Sequence, residues 1–81
     1  MEFYVYILYS SALDQYYVGH TEDLQNRLFR HNNSGSKSTK KASDWVLKYQ
    51  ETYPTRTAAM GRETEIKRKK NRKYIEILIA G

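Results

Sequence analysis

The segment from Tyr16 to His31 (YYVGHTEDLQNRLFRH) changes from the character of a strand to that of a helix, and this change constrains the fold most. Its first residues are aromatic or β-branched, which is typical of a short strand, here predicted over 15–20. Gly19 ends the run and permits a close approach of the backbone. The sequence therefore predicts a strand that passes almost directly into a helix.

The helical half of this segment mixes apolar and basic residues on one face. Thr21 is a good N-cap, so the helix is predicted to run from Glu22 to about Asn32, with acidic residues in its first turn. One face carries two leucines and two basic residues at helical spacing: Leu24, Arg27, Leu28 and His31. If the leucines pack on the strand that carries Tyr17, the two basic residues lie along the border of the buried stripe.

Two further segments have the pattern of strands. The run 3–9 (FYVYILY) predicts a strand buried on both faces, joined by a short connection to the strand over 15–20. Alternation then allows Tyr6 and Tyr17 to share a face. The segment 45–53 (WVLKYQETY) predicts a third strand, in which every second residue from Trp45 to Glu51 would lie on one face.

The C-terminal third begins with a helix and ends with an apolar segment. Thr55 or Thr57 caps a helix that is predicted to run to about Lys69. Gly61 within that helix costs up to about 1 kcal/mol relative to Ala, which suggests a tight contact at this position. The final segment 74–80 (YIEILIA) fits either a strand or a short helix.

Glu63 is the unusual residue of this helix because it lies on the apolar stripe, four residues after Ala59 and three before Ile66. Burying a carboxylate without a partner is costly, so Glu63 requires one. An i,i+4 ion pair with Lys67 is one interpretation. A metal-binding or catalytic carboxylate that faces the sheet is the other, whereas Glu65 projects elsewhere.

The net charge of +5 and the pI of about 9.5 suggest a polyanionic partner, with nucleic acid as the first candidate. The alternative is a soluble domain that happens to be basic. The segment 67–73 (KRKKNRK) is either a solvated helix face or a phosphate-binding surface that includes Lys67, Arg68 and Lys70. The segment 32–44 is either a solvated connector or a loop that orders on a phosphate backbone through its lysines: Lys37, Lys40 and Lys41.

Composition excludes several classes of protein. Without cysteine, the chain has neither disulfides nor a thiolate zinc site. No apolar run reaches the roughly 20 residues of a membrane span, and the N-terminus lacks the layout of a signal peptide. We expect one domain over 1–81, soluble and cytoplasmic, with no membrane partner.

Two triplets, Tyr4-Val5-Tyr6 and Tyr17-Val18-Gly19, together with the helix that follows them, resemble the GIY-YIG nuclease superfamily, in particular its small stand-alone members. Tyr4 replaces the usual leading Gly. The similarity continues through Arg27 and His31 to a late helical Glu, which corresponds to Glu63, and it covers nearly the whole chain.

This resemblance implies a fold and a set of roles. The fold is α/β (α+β), a small three-stranded antiparallel sheet flanked by helices in the order β-β-α-β-α-α. The last helix then covers 74–80, with Tyr74, Ile75 and Leu78 on the core. The implied catalytic residues have different roles. Tyr17 would be a general base or would position the water, and Tyr6 would hydrogen-bond the nucleophile or phosphate. Arg27 would bind the phosphate, His31 would assist proton transfer or orient Tyr17, and Glu63 would bind the metal.

The resemblance also implies the cofactor and the substrate. The metal would be Mg²⁺ or Mn²⁺, with no small-molecule cofactor besides it, and one carboxylate is sufficient because Mg²⁺ keeps several waters. The substrate would be DNA, including branched or damaged DNA, and His20 would contact phosphate. The family's late Asn has no clean counterpart, because Asn71 lies within the basic run.

These observations leave three hypotheses for the function. The leading one is a metal-dependent endonuclease that hydrolyses phosphodiester bonds in DNA. The second is a non-catalytic nucleic-acid-binding module with a GIY-YIG fold. The third is a small basic protein-interaction domain, which predicts no salt-dependent affinity for DNA.

Overall fold

The computed structural model describes residues 1–33, 42–69 and 71–81. Within them, the strands and helices follow one another in the predicted order β-β-α-β-α-α. The predicted α+β class with a three-stranded antiparallel sheet is confirmed. The elements are β1 (Phe3–Ser10), β2 (Gln15–Thr21), α1 (Leu24–Asn33), β3 (Val46–Tyr53), α2 (Arg56–Lys69) and α3 (Arg72–Ala80). No helix in the described ranges is long and apolar enough to cross a membrane.

β1 is the central strand of the sheet, with β2 on one side and β3 on the other, both antiparallel to it. Its middle residues, from Val5 to Leu8, are at most 2% exposed. Both faces of a central strand must be covered, and for this reason the run 3–9 is apolar without a polar alternate position. The prediction of a strand buried on both faces is confirmed.

Each face of the sheet has its own core. On one side, Tyr6, Leu8 and Trp45 are buried against the half-buried leucines of α1, Leu24 and Leu28. On the other side, Val5, Ile7 and Val18 of the sheet form a core with Ala59 and Ile66 of α2, and residues of α3 pack against it. The tyrosine and two apolar residues predicted to anchor the last helix, Tyr74, Ile75 and Leu78, pack against this second core.

A β-bulge between β1 and β3 makes one prediction wrong. Ile7 lies opposite Tyr49, but Leu8 lies opposite Leu47, so that Lys48 is the extra residue. The bulge reverses the alternation of side chains, because the period of a strand is two residues. Trp45 consequently packs with the α1 core and Tyr49 with the opposite core, rather than both on one face.

The start of α1 also differs from the prediction. Thr21 is still paired with Tyr4 in the sheet, and its hydroxyl oxygen accepts a hydrogen bond from the backbone N–H of Asp23. Asp23 caps the helix instead, because its carboxylate accepts the backbone N–H of Asn26 at 3.0 Å. The helix therefore begins at Leu24 and has no acidic residue in its first turn.

A side chain caps the N-terminus of each of the helices α2 and α3, and Gly61 lies within α2. The Thr55 hydroxyl accepts the backbone N–H of Ala58 at 3.2 Å, which confirms one of the two predicted caps of α2. Asn71 caps α3, since its side-chain oxygen accepts the backbone N–H of Lys73. The tight contact suggested for Gly61 is wrong, because a Cβ atom at this position would meet nothing within 4 Å.

Glu51 on β3 is the acceptor of a polar network beneath α2. Its carboxylate accepts hydrogen bonds from the hydroxyls of Tyr49 and Tyr53 and from two guanidinium nitrogens of Arg62, at 2.9 and 3.1 Å. Burial raises the pKa of this carboxyl, but the hydrogen bonds from Arg62, Tyr49 and Tyr53 outweigh burial and hold the pKa at about 2. The network ties β3 to α2.

Replacing Glu51 should lower stability in a pH-dependent way. The folded pKa of about 2 lies below the ordinary value of 4.5, so the contribution is present above pH 4.5 and is lost as the pH falls towards 2. We expect Glu51→Gln to reduce the free energy of unfolding by about 1–3 kcal/mol at pH 7 and by less at pH 3. Urea unfolding at both pH values measures this, with the exposed Glu2→Gln as control. An equal loss at both pH values would contradict it.

Candidate active site

The predicted catalytic residues meet at β2, the strand that carries the second triplet. A polar cavity of about 220 Å³ there is lined by residues from four elements: Tyr6, Tyr17, Gly19, His20, Arg27, Arg56 and Glu63. Tyr6, Tyr17 and Arg27 belong to the α1 side of the sheet, whereas His20, Arg56 and Glu63 belong to the α2 side. The cavity therefore joins the two faces of the sheet across an edge strand.

Gly19 makes this junction possible because it lies directly opposite Tyr6 in the sheet. A Cβ atom on Gly19 would lie 2.6 Å from the Tyr6 hydroxyl oxygen and 2.8 Å from the ring carbon that bears it. No side chain fits at this distance, so the ring of Tyr6 lies over the backbone of β2. The close approach predicted for Gly19 is present, and its partner is a tyrosine of the site.

Tyr6 is only 2% exposed, and its hydroxyl is hydrogen-bonded to Nε2 of His31 at 3.0 Å. Burial and the neighbouring Tyr17 raise the pKa of the Tyr6 hydroxyl, and the positive charge of Arg27 offsets this only in part. Tyr6 is therefore a neutral phenol near neutral pH. It is suited to donate or relay a hydrogen bond rather than to act as a phenolate.

His31 is the buried residue of α1, at 3% exposure, and not a border residue as its spacing predicted. Its ring packs against the ring of Tyr17, with 4.8 Å between centroids. Burial lowers the pKa of His31, and the positive charges of Arg27 and Arg30 lower it further. A neutral imidazole consequently lies behind the two tyrosines of the site, hydrogen-bonded to Tyr6 and packed on the ring of Tyr17.

Glu63 reaches the cavity from α2 with an exposed side-chain fraction of 18%. Its two carboxylate oxygens contact Nδ1 of His20 and Nζ of Lys67, each at 2.5 Å. Burial raises the pKa of Glu63, but the hydrogen bonds from Lys67 and His20 outweigh burial and lower it. The ion pair with Lys67 is thus present, and the carboxylate also faces the sheet, so the two interpretations of this residue are compatible.

Two arginines supply the positive charge of the cavity. Within the described ranges, no carboxylate lies at ion-pair distance from Arg27. Arg56, in the first turn of α2, is 3.8 Å from the half-exposed Glu22, a distance at which an exposed pair contributes little. Its guanidinium lies over the ring of Phe3, 4.9 Å from the centroid. The sequence analysis missed Arg56, because its place beside Phe3 depends on the packing of α2 against β1.

The donor atoms of the cavity are compatible with Mg²⁺ or Mn²⁺. Among the described residues, no group of three or more His, Cys, Asp or Glu could hold a metal ion. Glu63 is the carboxylate of the cavity, and Mg²⁺ commonly takes one or two protein carboxylates together with water and phosphate oxygens. The residues present therefore fit a metal that is completed by substrate and water.

The predicted site residues divide into three groups. The catalytic candidates and His20 are brought together at β2, with His31 behind the two tyrosines rather than on the cavity wall. Lys67 adjoins the site through Glu63, whereas Arg68 lies on the exposed surface of α2 outside the cavity lining. The remaining nucleic-acid-binding candidates lie outside the described residues: Lys37, Lys40, Lys41 and Lys70.

Alanine substitutions at Gly19 of β2 and Gly61 of α2 should change the free energy of unfolding in opposite directions. Gly19→Ala places a Cβ atom against Tyr6, so we expect the free energy of unfolding to fall by about 1–3 kcal/mol through overpacking. Gly61→Ala meets no atom and adds a better helix former, so it should raise the same quantity by about 0.5–1 kcal/mol. Urea unfolding measures both. Tolerance of Ala at Gly19 would contradict the close approach of Tyr6.

Comparison with known proteins supports the resemblance. The family model for the GIY-YIG catalytic domain matches residues 2–75. A UPF0213 protein of Staphylococcus saprophyticus is 36% identical over 66 residues, 80% of each chain, and one of Staphylococcus aureus is 36% identical over 76 residues, 93% of this chain and 92% of that one. The solution NMR structure of a UPF0213 protein from Bacillus halodurans is 31% identical, with a TM-score of 0.61, and the similarity covers 99% of this chain and 84% of that chain.

Proposed function

Because this chain belongs to the GIY-YIG family, a family of nucleases, we propose that it is a divalent-metal-dependent endonuclease that hydrolyses phosphodiester bonds in DNA. One observation carries the proposal. An ionised carboxylate, Glu63, shares a small polar cavity with Arg27 and with two tyrosines. These are the groups that phosphodiester hydrolysis requires: a metal ligand, a cation for the phosphate and hydroxyls for proton transfer.

The phosphate is bound from the α1 side of the cavity. Arg27 donates the N–H groups of its planar guanidinium to non-bridging oxygens, since no carboxylate of the described residues lies at ion-pair distance from it. A phosphorane-like transition state is more negative than the ground state, so the same contact strengthens as the reaction proceeds. Arg56 lies on the opposite rim, where it meets the phosphate backbone beside the scissile group.

The two tyrosines have different tasks because their surroundings differ. Tyr6 is buried, neutral and fixed by His31, so its hydroxyl orients the nucleophilic water or a phosphate oxygen. Tyr17 is half-buried, packs on His31 and lies beneath the Lys67 ammonium, 5.8 Å from its ring centroid. Tyr17 is the more accessible of the two tyrosines, so we assign to Tyr17 the role of accepting the proton of the water.

Glu63 would hold the metal, which would supply Lewis-acid stabilisation of the phosphate and of the leaving oxygen. There the metal would compete with the contacts that the Glu63 carboxylate makes to His20 and Lys67, and both side chains would remain beside the phosphate. The additional basic residues of the chain then extend the contact to DNA, including branched or damaged DNA.

Cleavage of supercoiled and branched DNA in Mg²⁺ or Mn²⁺ tests the proposal. We expect Glu63→Gln to reduce the rate by about 10²–10³-fold, the order of loss seen when one transition-state contact is removed. Glu65→Gln is the matched control, because Glu65 lies two residues away, is 60% exposed and pairs with Arg62. Its rate should stay close to that of the unchanged protein.

Two results would contradict the proposal. An equal loss of cleavage rate in the Glu63→Gln and Glu65→Gln variants would contradict the assignment of Glu63 as the metal ligand. Steeply salt-dependent DNA binding without cleavage would favour the non-catalytic nucleic-acid-binding module, which the basic surface supports equally well.

Arg56 provides a second test that does not depend on cleavage. In a Glu63→Gln background, Arg56→Gln should reduce the slope of log K against log[salt] for DNA binding by about one, because one phosphate contact is lost. Lys48→Gln is the control, since Lys48 is exposed on β3 at the other edge of the sheet. An unchanged slope for the Arg56 variant would exclude a phosphate contact there.

A further inference from the structure

Both carboxylate oxygens of Glu63 are engaged by side chains of the protein. Oε1 contacts Nδ1 of His20, and Oε2 contacts Nζ of Lys67. Glu63 is the only carboxylate among the described residues that line the cavity, and only 18% of its side chain is exposed. A carboxylate that is largely removed from water requires such partners. A metal ion can therefore reach Glu63 only in competition with these two contacts.

Lys67 is the partner of Glu63 that can move away. Half of its side chain is exposed, and its ammonium is carried on a flexible four-carbon stem. His20 is only 23% exposed, and its backbone is fixed in β2, where it pairs with Val5. Ion pairs between helix residues four positions apart contribute little free energy when one partner is this exposed. The contact between Lys67 and Glu63 is therefore readily exchanged for another.

A phosphate bound in the cavity offers Lys67 a second partner. The Lys67 ammonium lies 5.8 Å from the centroid of the Tyr17 ring, and Tyr17 lines the cavity together with Arg27. Lys67 thus contacts two residues of the cavity wall, Glu63 and Tyr17, without lining the cavity itself. Rotation of its side chain brings the ammonium from the carboxylate towards a phosphate that Arg27 holds.

The balance of charge makes the metal and the phosphate depend on each other. When neither is bound, the charges of Glu63 and Lys67 compensate each other. A phosphate that enters alone meets the like charge of the carboxylate, and a divalent metal that enters alone leaves the ammonium beside another cation. When both enter, the metal compensates Glu63 and the ammonium compensates the phosphate.

We propose that Lys67 is an exchangeable counter-ion, which occupies the metal ligand Glu63 until DNA binds and thereby couples metal binding to DNA binding. The inference rests on the proposed function and adds a form of regulation to it. A DNA phosphate draws Lys67 away and makes Glu63 available to the metal. Because such coupling is reciprocal, a bound metal releases Lys67 and strengthens the contact with DNA by the same factor. The metal site is thus completed in the presence of substrate.

Binding of Mn²⁺ to the protein without DNA tests the first half of the exchange. The free ion is measured by electron paramagnetic resonance at about 0.15 M salt, where distant charges are screened. Lys67→Met removes the ammonium and keeps an unbranched stem, so we expect the Kd for Mn²⁺ to fall by about two- to fivefold, the scale of one exposed ion pair.

Lys69→Met is the matched control for this measurement. It makes the same change in the same last turn of α2, but the Lys69 ammonium lies over the ring of Tyr74, 5.5 Å from its centroid. The Kd for Mn²⁺ should be unchanged in this variant. Urea unfolding of both variants establishes that each is folded before binding is compared.

Binding of labelled duplex DNA in EDTA tests the second half of the exchange, since no metal-dependent cleavage takes place there. Glu63→Gln should tighten DNA binding, because it removes a negative charge and frees Lys67 for a phosphate. In a Lys67→Met background only the loss of charge remains, so the same substitution should tighten binding by about two- to fivefold less. Fluorescence anisotropy of the four proteins in this double-mutant cycle measures the difference.

The outcomes separate this inference from the proposed function. Unchanged Mn²⁺ affinity in Lys67→Met, together with a loss of Mn²⁺ binding in Glu63→Gln, would overturn the counter-ion role and leave the metal ligand in place. Equal tightening of DNA binding by Glu63→Gln in both backgrounds would also overturn the counter-ion role alone. Mn²⁺ binding that Glu63→Gln does not weaken would contradict the metal ligand itself, and with it the proposed function.

Discussion

The double-sided burial of β1 is the constraint on which the rest of this structure depends. Val5 and Ile7 point to the helices α2 and α3, while Tyr6 and Leu8 point to α1, and none of the four is more than 2% exposed. A chain of 81 residues can bury only a small core, so both helical layers pack on this one strand. The strand also contributes to the candidate active site, because its buried Tyr6 places a hydroxyl in the cavity.

The placement of that hydroxyl depends on what faces it. Opposite Tyr6, β2 has Gly19, and the absence of a side chain there leaves room for the Tyr6 ring over the strand. Behind Tyr6, α1 supplies the buried His31, whose hydrogen bond fixes the hydroxyl, while burial keeps the phenol neutral. Tyr6 therefore belongs both to the core and to the candidate catalytic site, so a substitution in the core of β1 should also change the geometry of the site.

Charge is distributed unevenly along β2. Towards its C-terminal end, Arg27 has no carboxylate partner among the described residues, and Arg56 has only a distant, exposed one. Towards its N-terminal end, Arg72 is neutralised by Asp14 and Glu76. Arginines without a close carboxylate therefore lie towards one end of β2, and an arginine with two carboxylate partners lies towards the other.

The sequence by itself determined the doubly buried strand and the Tyr16-to-His31 transition, because these depend on periodicity and local propensity. The helical character of the last element followed from the family resemblance, since its local pattern fitted either a strand or a helix. Only the tertiary structure decided the bulge at Lys48, the partnership of Gly19 with Tyr6, the burial of His31 and the position of Arg56. Each of these depends on which residue lies opposite in another element. Register and packing set that relation over long sequence separations, and no local pattern in the chain encodes it.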